Sequence, residues 1–278
     1  MNRLEEEPAL RIERRFVDVP AGTIHCAICG EGRAVLLLHQ TPRSWDEFRD
    51  VLPRLGRRFQ AIAMDTIGFG DSSRPPLEED SIERWAEVAV QLLDALDIGR
   101  AVVVGHHTGA AIAVELAAMH GSRVDAVVLS APPFVDAEYR ATHTGPPVVD
   151  RVERRADGSH LGELWRIRRP WYPDGDIDLL ERFVVDALKA GPRAAHGHTV
   201  VARYRMEERL PRVRCPALVV APTDDPHAWP RAPRVAAAIA GSRIVEVPGG
   251  RVPLPDQMPE TFARIVEGFV DEVPAGAG

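Results

Sequence analysis

Two apolar rhythms alternate along the first half of the chain. Short, nearly continuous runs at 34–38, 59–65, 101–105 and 126–130 are separated by longer segments whose apolar residues recur every three or four positions. Uninterrupted runs of this length predict strands buried on both faces, as in a parallel sheet. Between them, Ile82, Trp85, Val88, Leu92 and Leu96 fall on one helical face behind an Asp80-Ser81 cap, and a small-residue helix follows over 109–120. RFVDV (15–19) and TIHCAIC (23–29) flank Pro20-Ala21-Gly22 and predict an antiparallel hairpin at the start. Ser44, with Glu47 three residues on, predicts a capping box opening a helix over 45–55.

The rhythm breaks over 132–212. That stretch is rich in Arg, Asp, Pro and Trp and holds helical patterns near 160–169, 178–190 and 193–205, with no strand run. Alternation resumes with PALVVA (216–221), a helix over 232–240, RIVEV (243–247) and a helix over 259–270, before a tail, PAGAG, that reads as frayed. The order β, α, β, α predicts an α/β fold with a mostly parallel, doubly wound sheet. Its core is built from 1–131 and 213–278, and a helical cap (132–212) enters after the sixth strand.

Composition narrows the function. A formal net charge of -7 argues against a nucleic-acid binder, which needs a basic face to replace counterions. No apolar run approaches the roughly 20 residues of a membrane span, and the acidic N-terminus has no signal-peptide core. The expected location is therefore cytoplasmic. Three cysteines cannot make a disulfide framework; Cys26 and Cys29 fall on opposite faces of one strand, and all three read as small buried apolar residues.

VVVGHHTGAA (102–111) has the outline of a sharp strand-to-helix turn that lifts a reactive side chain out of a sheet. Such a bend tolerates only tiny residues two before and two after its tip. Gly105 and Gly109 meet that requirement and put His107 at the tip. Shifting the frame to Thr108 would set bulky His106 where a side chain clashes. His106 reads as a packed, hydrogen-bonded support.

Four segments, in order, resemble the α/β-hydrolase superfamily, in its cap-bearing epoxide hydrolase, haloalkane dehalogenase and C–C hydrolase branch. LLLHQTPRSW (36–45) is similar to that branch's oxyanion loop, MDTIGFGDSSRP (64–75) to its turn after strand four, VVGHHTGAA to its nucleophile elbow, and VVAPTDDPHA (219–228) to the loop that supplies its acid. The resemblance implies an eight-stranded sheet and a role for Asp225 as the acid. It implies Thr41 and Thr108 amides as oxyanion donors, with His39, Gln40, Trp45, His106 and Trp165 around the substrate. Two departures change the chemistry. Histidine takes the place of the nucleophile, and in Pro248-Gly249-Gly250-Arg251-Val252 a valine takes the place of the distal histidine.

A serine mechanism needs a hydroxyl, a base and an acid, and only the acid keeps its place here. A helix N-terminus disfavours imidazolium, so His107 is expected to be neutral. A neutral imidazole can take a proton from carbon next to a carbonyl, as in lyase, decarboxylase, isomerase or cyclase chemistry, or attack an acyl group to give a hydrolysable acyl-imidazole. Two alternatives stay open: a catalytically dead ligand binder, and an ordinary ester or epoxide hydrolase with an unrecognised nucleophile. A metal on His39, Asp65, His107 and Asp225, with His196 and His198 nearby, is a further class, but the spacing fits no zinc signature and no cofactor is expected.

In the cap, Trp165, Trp171 and Tyr172 serve as a pocket roof or as packing, and Arg166, Arg168 and Arg169 as an anion site or a solvated face. His227 is a possible stand-in for the missing distal histidine. The expected partner is a small or medium organic molecule, with neither nucleic acid nor membrane. A homodimer is compatible with the sequence.

Overall fold

The computed structural model describes residues 10–145 and 149–274, so the tail beyond Pro274 and the extreme N-terminus lie outside the described residues. Eight strands form one sheet: β1 (Glu13–Val19), β2 (Gly22–Cys29), β3 (Ala34–Leu38), β4 (Gln60–Met64), β5 (Ala101–His106), β6 (Val124–Ser130), β7 (Ala217–Pro222) and β8 (Arg243–Val247). Their spatial order is β1-β2-β4-β3-β5-β6-β7-β8. β1 and β2 form the antiparallel hairpin, β2 pairs antiparallel with β4, and all later pairings are parallel.

The helices are α1 (Leu52–Leu55), α2 (Ile82–Ala95), α3 (Thr108–Met119), α4 (Ala137–Thr142), α5 (Ser159–Arg168), α6 (Ile177–Ala190), α7 (Arg193–Arg203), α8 (Met206–Arg209), α9 (Ala232–Ala238), α10 (Leu254–Gln257) and α11 (Pro259–Glu272). Side chains of α2, α3 and α9 join one face of the sheet in a core that contains Cys26, Leu36, Leu38 and Val103. Those of α1 and α11 join the other face, in a core that contains Cys29, Leu37 and Val104. Alternation along β2 thus sends the two cysteines to opposite layers. Cys215, by contrast, is only partly buried.

α4 to α8 form the cap between β6 and β7, with an apolar centre of its own at Leu164, Tyr172, Leu180 and Phe183. The cap is fastened to the core through charge. Arg43, fully buried in the loop after β3, binds Asp186 of α6 at 2.9 Å and also Asp256 of α10, while Ser44 Oγ donates to Asp186 at 2.8 Å. Arg182 of α6 returns to Asp46 at 2.7 Å.

The expected helix over 45–55 is broken. A single tight turn spans Trp45–Phe48, and α1 covers only Leu52–Leu55. Ser44 does cap the turn, accepting from Asp46 N–H, but Glu47 does not close a capping box. Its carboxyl instead accepts from the backbone N–H and side-chain amide of Gln40. Buried against Asp256, that carboxyl is pushed above its usual range, burial being the larger cause. Helices α4, α8 and α10 are too short to carry a readable period.

Candidate active site

The bend after β5 has the steric anatomy expected of an elbow. His107 adopts φ 47° and ψ −109°, a strained conformation for a residue with a side chain. A Cβ at Gly105 would stand 2.1 Å from the Gly109 carbonyl oxygen, and one at Gly109 would stand 1.9 Å from that of Leu38. Both glycines are therefore obligatory, and they fix His107 rather than Thr108 at the tip. Thr108 opens α3, where first-turn amides have no intrahelical acceptor.

The acid comes from the loop after β7. Asp225, fully buried, accepts from the backbone N–H groups of His227 at 2.8 Å and Ala228 at 3.0 Å through Oδ1. Its Oδ2 lies 2.8 Å from His107 Nε2, an ion-pair distance, though the approach is tilted off the axis of a hydrogen bond. Burial pushes the Asp225 carboxyl up, but the His107 ring and the two amides outweigh it and hold it below the usual carboxylate range. Asp225 thus pairs with the histidine at the tip of the bend. With the Nε2 edge turned to Asp225, Nδ1 is the ring's other polar atom, and it has no hydrogen-bond partner among the described residues.

His106 supports this arrangement from behind. It is fully buried and packs edge-on to the His107 ring at 4.8 Å between centroids. Its Nε2 is 2.8 Å from the Val252 carbonyl, which can only accept, so Nε2 carries the proton and Nδ1 accepts from Ser130 Oγ at 2.9 Å. Burial first, and His107 second, lower its pKa well below the ordinary histidine value.

His107 lines a cavity of about 330 Å³ between core and cap, together with Gln40, Thr41, Thr108 and Val252 from the core and Trp171 and His198 from the cap. No serine or cysteine lines it among the described residues. The loop after β3 begins with His39, whose Nδ1 donates to the Gln40 carbonyl at 2.8 Å and whose Nε2 accepts from Thr66 N–H at 3.0 Å. Thr41 N–H points to the Thr108 hydroxyl at 3.3 Å, a long contact that leaves the amide beside the elbow tip.

Several expected site residues do not reach the cavity. His39 and His106 are buried with both ring nitrogens satisfied. The Trp45 ring packs beneath Arg14 and near His25, and its backbone N–H donates to Asp65. Trp165 packs with the cap centre, as does Tyr172, so of the three cap aromatics only Trp171 lines the cavity. In each case the side chain serves the packing of its own layer. Arg168 is not on a solvated face: it is buried, bound to Asp150, and lines the cavity.

The four residues considered for a metal do not gather. Asp65 is taken by His25, Trp45 and Asp71, and His196 and His198 turn to different acids, Asp80 and Asp150. A group at ligand spacing does occur at His25, Asp65 and Asp71, where Arg14 and Lys189 already supply cations. His227 donates its backbone N–H to Asp225, but its ring leans on Trp171, tilted by 57° with centroids 4.6 Å apart, and makes no hydrogen bond to a described residue. Tyr139, His143 and Arg231, which also line the cavity, carried no local signal; Arg231 follows Asp225 within the same loop region.

With the sheet and the elbow defined, comparison with known proteins places the chain. A model of the alpha/beta hydrolase fold matches residues 33–184, more than half of the chain, and the protein belongs to that family. Bifunctional epoxide hydrolase 2 of Rattus norvegicus is 36% identical over 119 residues, 42% of this chain and 22% of that one. Haloalkane dehalogenase 2 of Mycobacterium tuberculosis (strain ATCC 25618 / H37Rv) is 32% identical over 149 residues, 51% of this chain and 52% of that one. 2-Hydroxymuconate semialdehyde hydrolase of Pseudomonas sp. (strain CF600) is 37% identical over 103 residues, 36% of each chain. The matches thus span from about a fifth to about a half of these relatives' lengths. Among solved structures, the enol-lactonase from Burkholderia xenovorans LB400 superposes with TM-score 0.79 at 22% identity, covering 92% of this chain and 100% of that one, a likeness of fold. No described helix is long and apolar enough to cross a membrane.

Proposed function

We propose that the protein is an enzyme of acid–base chemistry in which His107, backed by Asp225, replaces the attacking oxygen of a hydrolase. The observation that carries this reading is the 2.8 Å approach of His107 Nε2 to Asp225 Oδ2 at the tip of an intact elbow. The substrate is a small or medium organic molecule with a carbonyl. Nδ1 of His107 takes a proton from the carbon beside that carbonyl. The C–H electron pair moves into a new C=C bond, and the carbonyl pair moves onto oxygen, beside the Thr41 and Thr108 amides. The resulting imidazolium is balanced by the Asp225 carboxylate. Cofactor-independent lyase, isomerase and cyclase reactions share this first step. A decarboxylase reaches the same enolate by breaking the bond to CO2, whose electron pair moves into the C=C bond, with the His107 imidazolium then protonating the carbon.

Support comes from three directions. The elbow glycines keep the strained tip, the acid keeps its buried, deprotonated state, and Trp171, Arg168 and His198 of the cap wall the cavity that His107 lines. Deuterium exchange at the α-carbon of a panel of small ketones, followed by proton NMR, tests the reading without knowledge of the natural substrate. Exchange is expected with the wild type and lost with His107→Ala. Exchange that survives His107→Ala overturns it, as does labelling of a serine by a fluorophosphonate probe.

A further inference from the structure

The cavity walls say more about the substrate than the elbow does. Two aromatic pairs line part of them. Tyr139 and His143 stack in parallel with centroids 3.8 Å apart, and Trp171 lies against His227 at 4.6 Å. Arg231 is held by both pairs. Its guanidinium carbon stands 5.5 Å from the centre of the Tyr139 ring, and its Nη1 donates to the His227 carbonyl. A long side chain pinned at two points has lost much of its rotamer freedom before any ligand arrives.

Arg231 also lacks an acid among the described residues. The cavity's other arginine, Arg168, is neutralised by buried Asp150, and Asp225 faces His107. Arg231 makes no ion pair among the described residues, and no Asp or Glu lines the cavity. Its Nε and Nη2 make no hydrogen bond to a described residue, which leaves one edge of the fork for a planar, bidentate acceptor. Aromatic ring faces and a planar cationic fork suit the same kind of molecule.

We infer that the substrate is a small planar carboxylate, aromatic or conjugated, whose ring or double bonds lie between the aromatic pairs and whose carboxylate is received by Arg231. The inference rests on the reading of this cavity as the active site and adds the charge and shape of what it takes.

Calorimetric titration with benzoate and its neutral isostere benzamide tests the assignment. The wild type is expected to bind benzoate at least tenfold more tightly than benzamide, with the preference shrinking as salt rises. Arg231→Gln should remove the preference by weakening benzoate alone, and Arg231→Lys should keep only part of it, because the charge remains without the fork. His107→Ala should retain the preference, so loss of α-proton exchange and loss of benzoate selectivity report on different residues. Equal binding of benzoate and benzamide by the wild type, or unchanged benzoate affinity in a folded Arg231→Gln protein, would overturn the inference.

Discussion

The Nε2–H of His106 donates to the backbone carbonyl of Val252 across 2.8 Å, joining the foot of the elbow to the loop after β8. The same ring accepts from Ser130, so one buried imidazole satisfies polar groups from two neighbouring elements. His106→Leu strands both. Each unsatisfied buried group costs about 1–3 kcal/mol, and the urea midpoint should fall accordingly. A midpoint unchanged from wild type would mean that neither bond contributes to the folded state.

Acid should expose the same residue. Burial lowers the pKa of His39 and of His106 in the folded state, below the ordinary value of 6.5 that each regains on unfolding. The unfolded chain therefore binds protons that the folded chain refuses. The stability these rings contribute is fully present above pH 6.5 and is lost progressively as pH falls from there through the lowered folded-state values. Each contributes a slope of up to about 1.4 kcal/mol per pH unit. His106→Leu should flatten the acid side of a stability–pH profile by one proton's worth, measured by urea unfolding between pH 5 and 7.

Glu47 has the opposite sign. Its carboxyl, buried among Arg43, Asp256 and the Gln40 amides, has a raised pKa in the fold and an ordinary one near 4.5 when unfolded. The folded state holds a proton that the unfolded state releases. That contribution is complete below pH 4.5 and fades as pH rises through the raised value. Glu47→Gln keeps an acceptor for Gln40 without the charge, so it should gain stability relative to wild type as pH is increased. A pH-independent difference between the two proteins would contradict this.

Gly109→Ala tests the elbow itself. The added carbon would meet the Leu38 carbonyl oxygen at 1.9 Å, and backbone on both sides leaves no flexible neighbour to move. A destabilisation of about 1–3 kcal/mol or more is expected, read from the thermal or urea midpoint. Wild-type stability would show that the bend has more room than the packing implies.

Asp225→Asn addresses the partner of the elbow histidine. Asparagine keeps the size and the acceptor for the His227 and Ala228 amides, but removes the charge that balances imidazolium. The α-proton exchange rate should fall about a hundredfold or more, with little change in ligand affinity. A rate within a few-fold of wild type would remove Asp225 from the proton transfer.

Much of this architecture is written locally. The continuous apolar runs of β3 and β5 can only be buried strands, and Gly105 and Gly109 mark the tip residue because close backbone contact forbids a Cβ at either place. The broken helix after Ser44 was not legible, since Glu47 could cap its own turn and is instead recruited by Gln40 from the preceding loop. Trp45 and Trp165 have the chemistry of pocket residues and pack elsewhere, because an indole fills a layer as readily as it lines a cavity.

The sequence by itself determined the order of strands and helices along the chain and the glycine pair that brackets the bend after β5, since period and steric exclusion act between near neighbours. Only the tertiary structure decided that His107 faces Asp225, that Val252 offers its carbonyl to His106, and that Arg231 stands beside two aromatic pairs without an ion pair among the described residues. Those relations join β5, the cap and the loops after β7 and β8. They depend on how the cap is docked through Arg43, Asp186 and Asp256, a network whose members lie far apart in the chain.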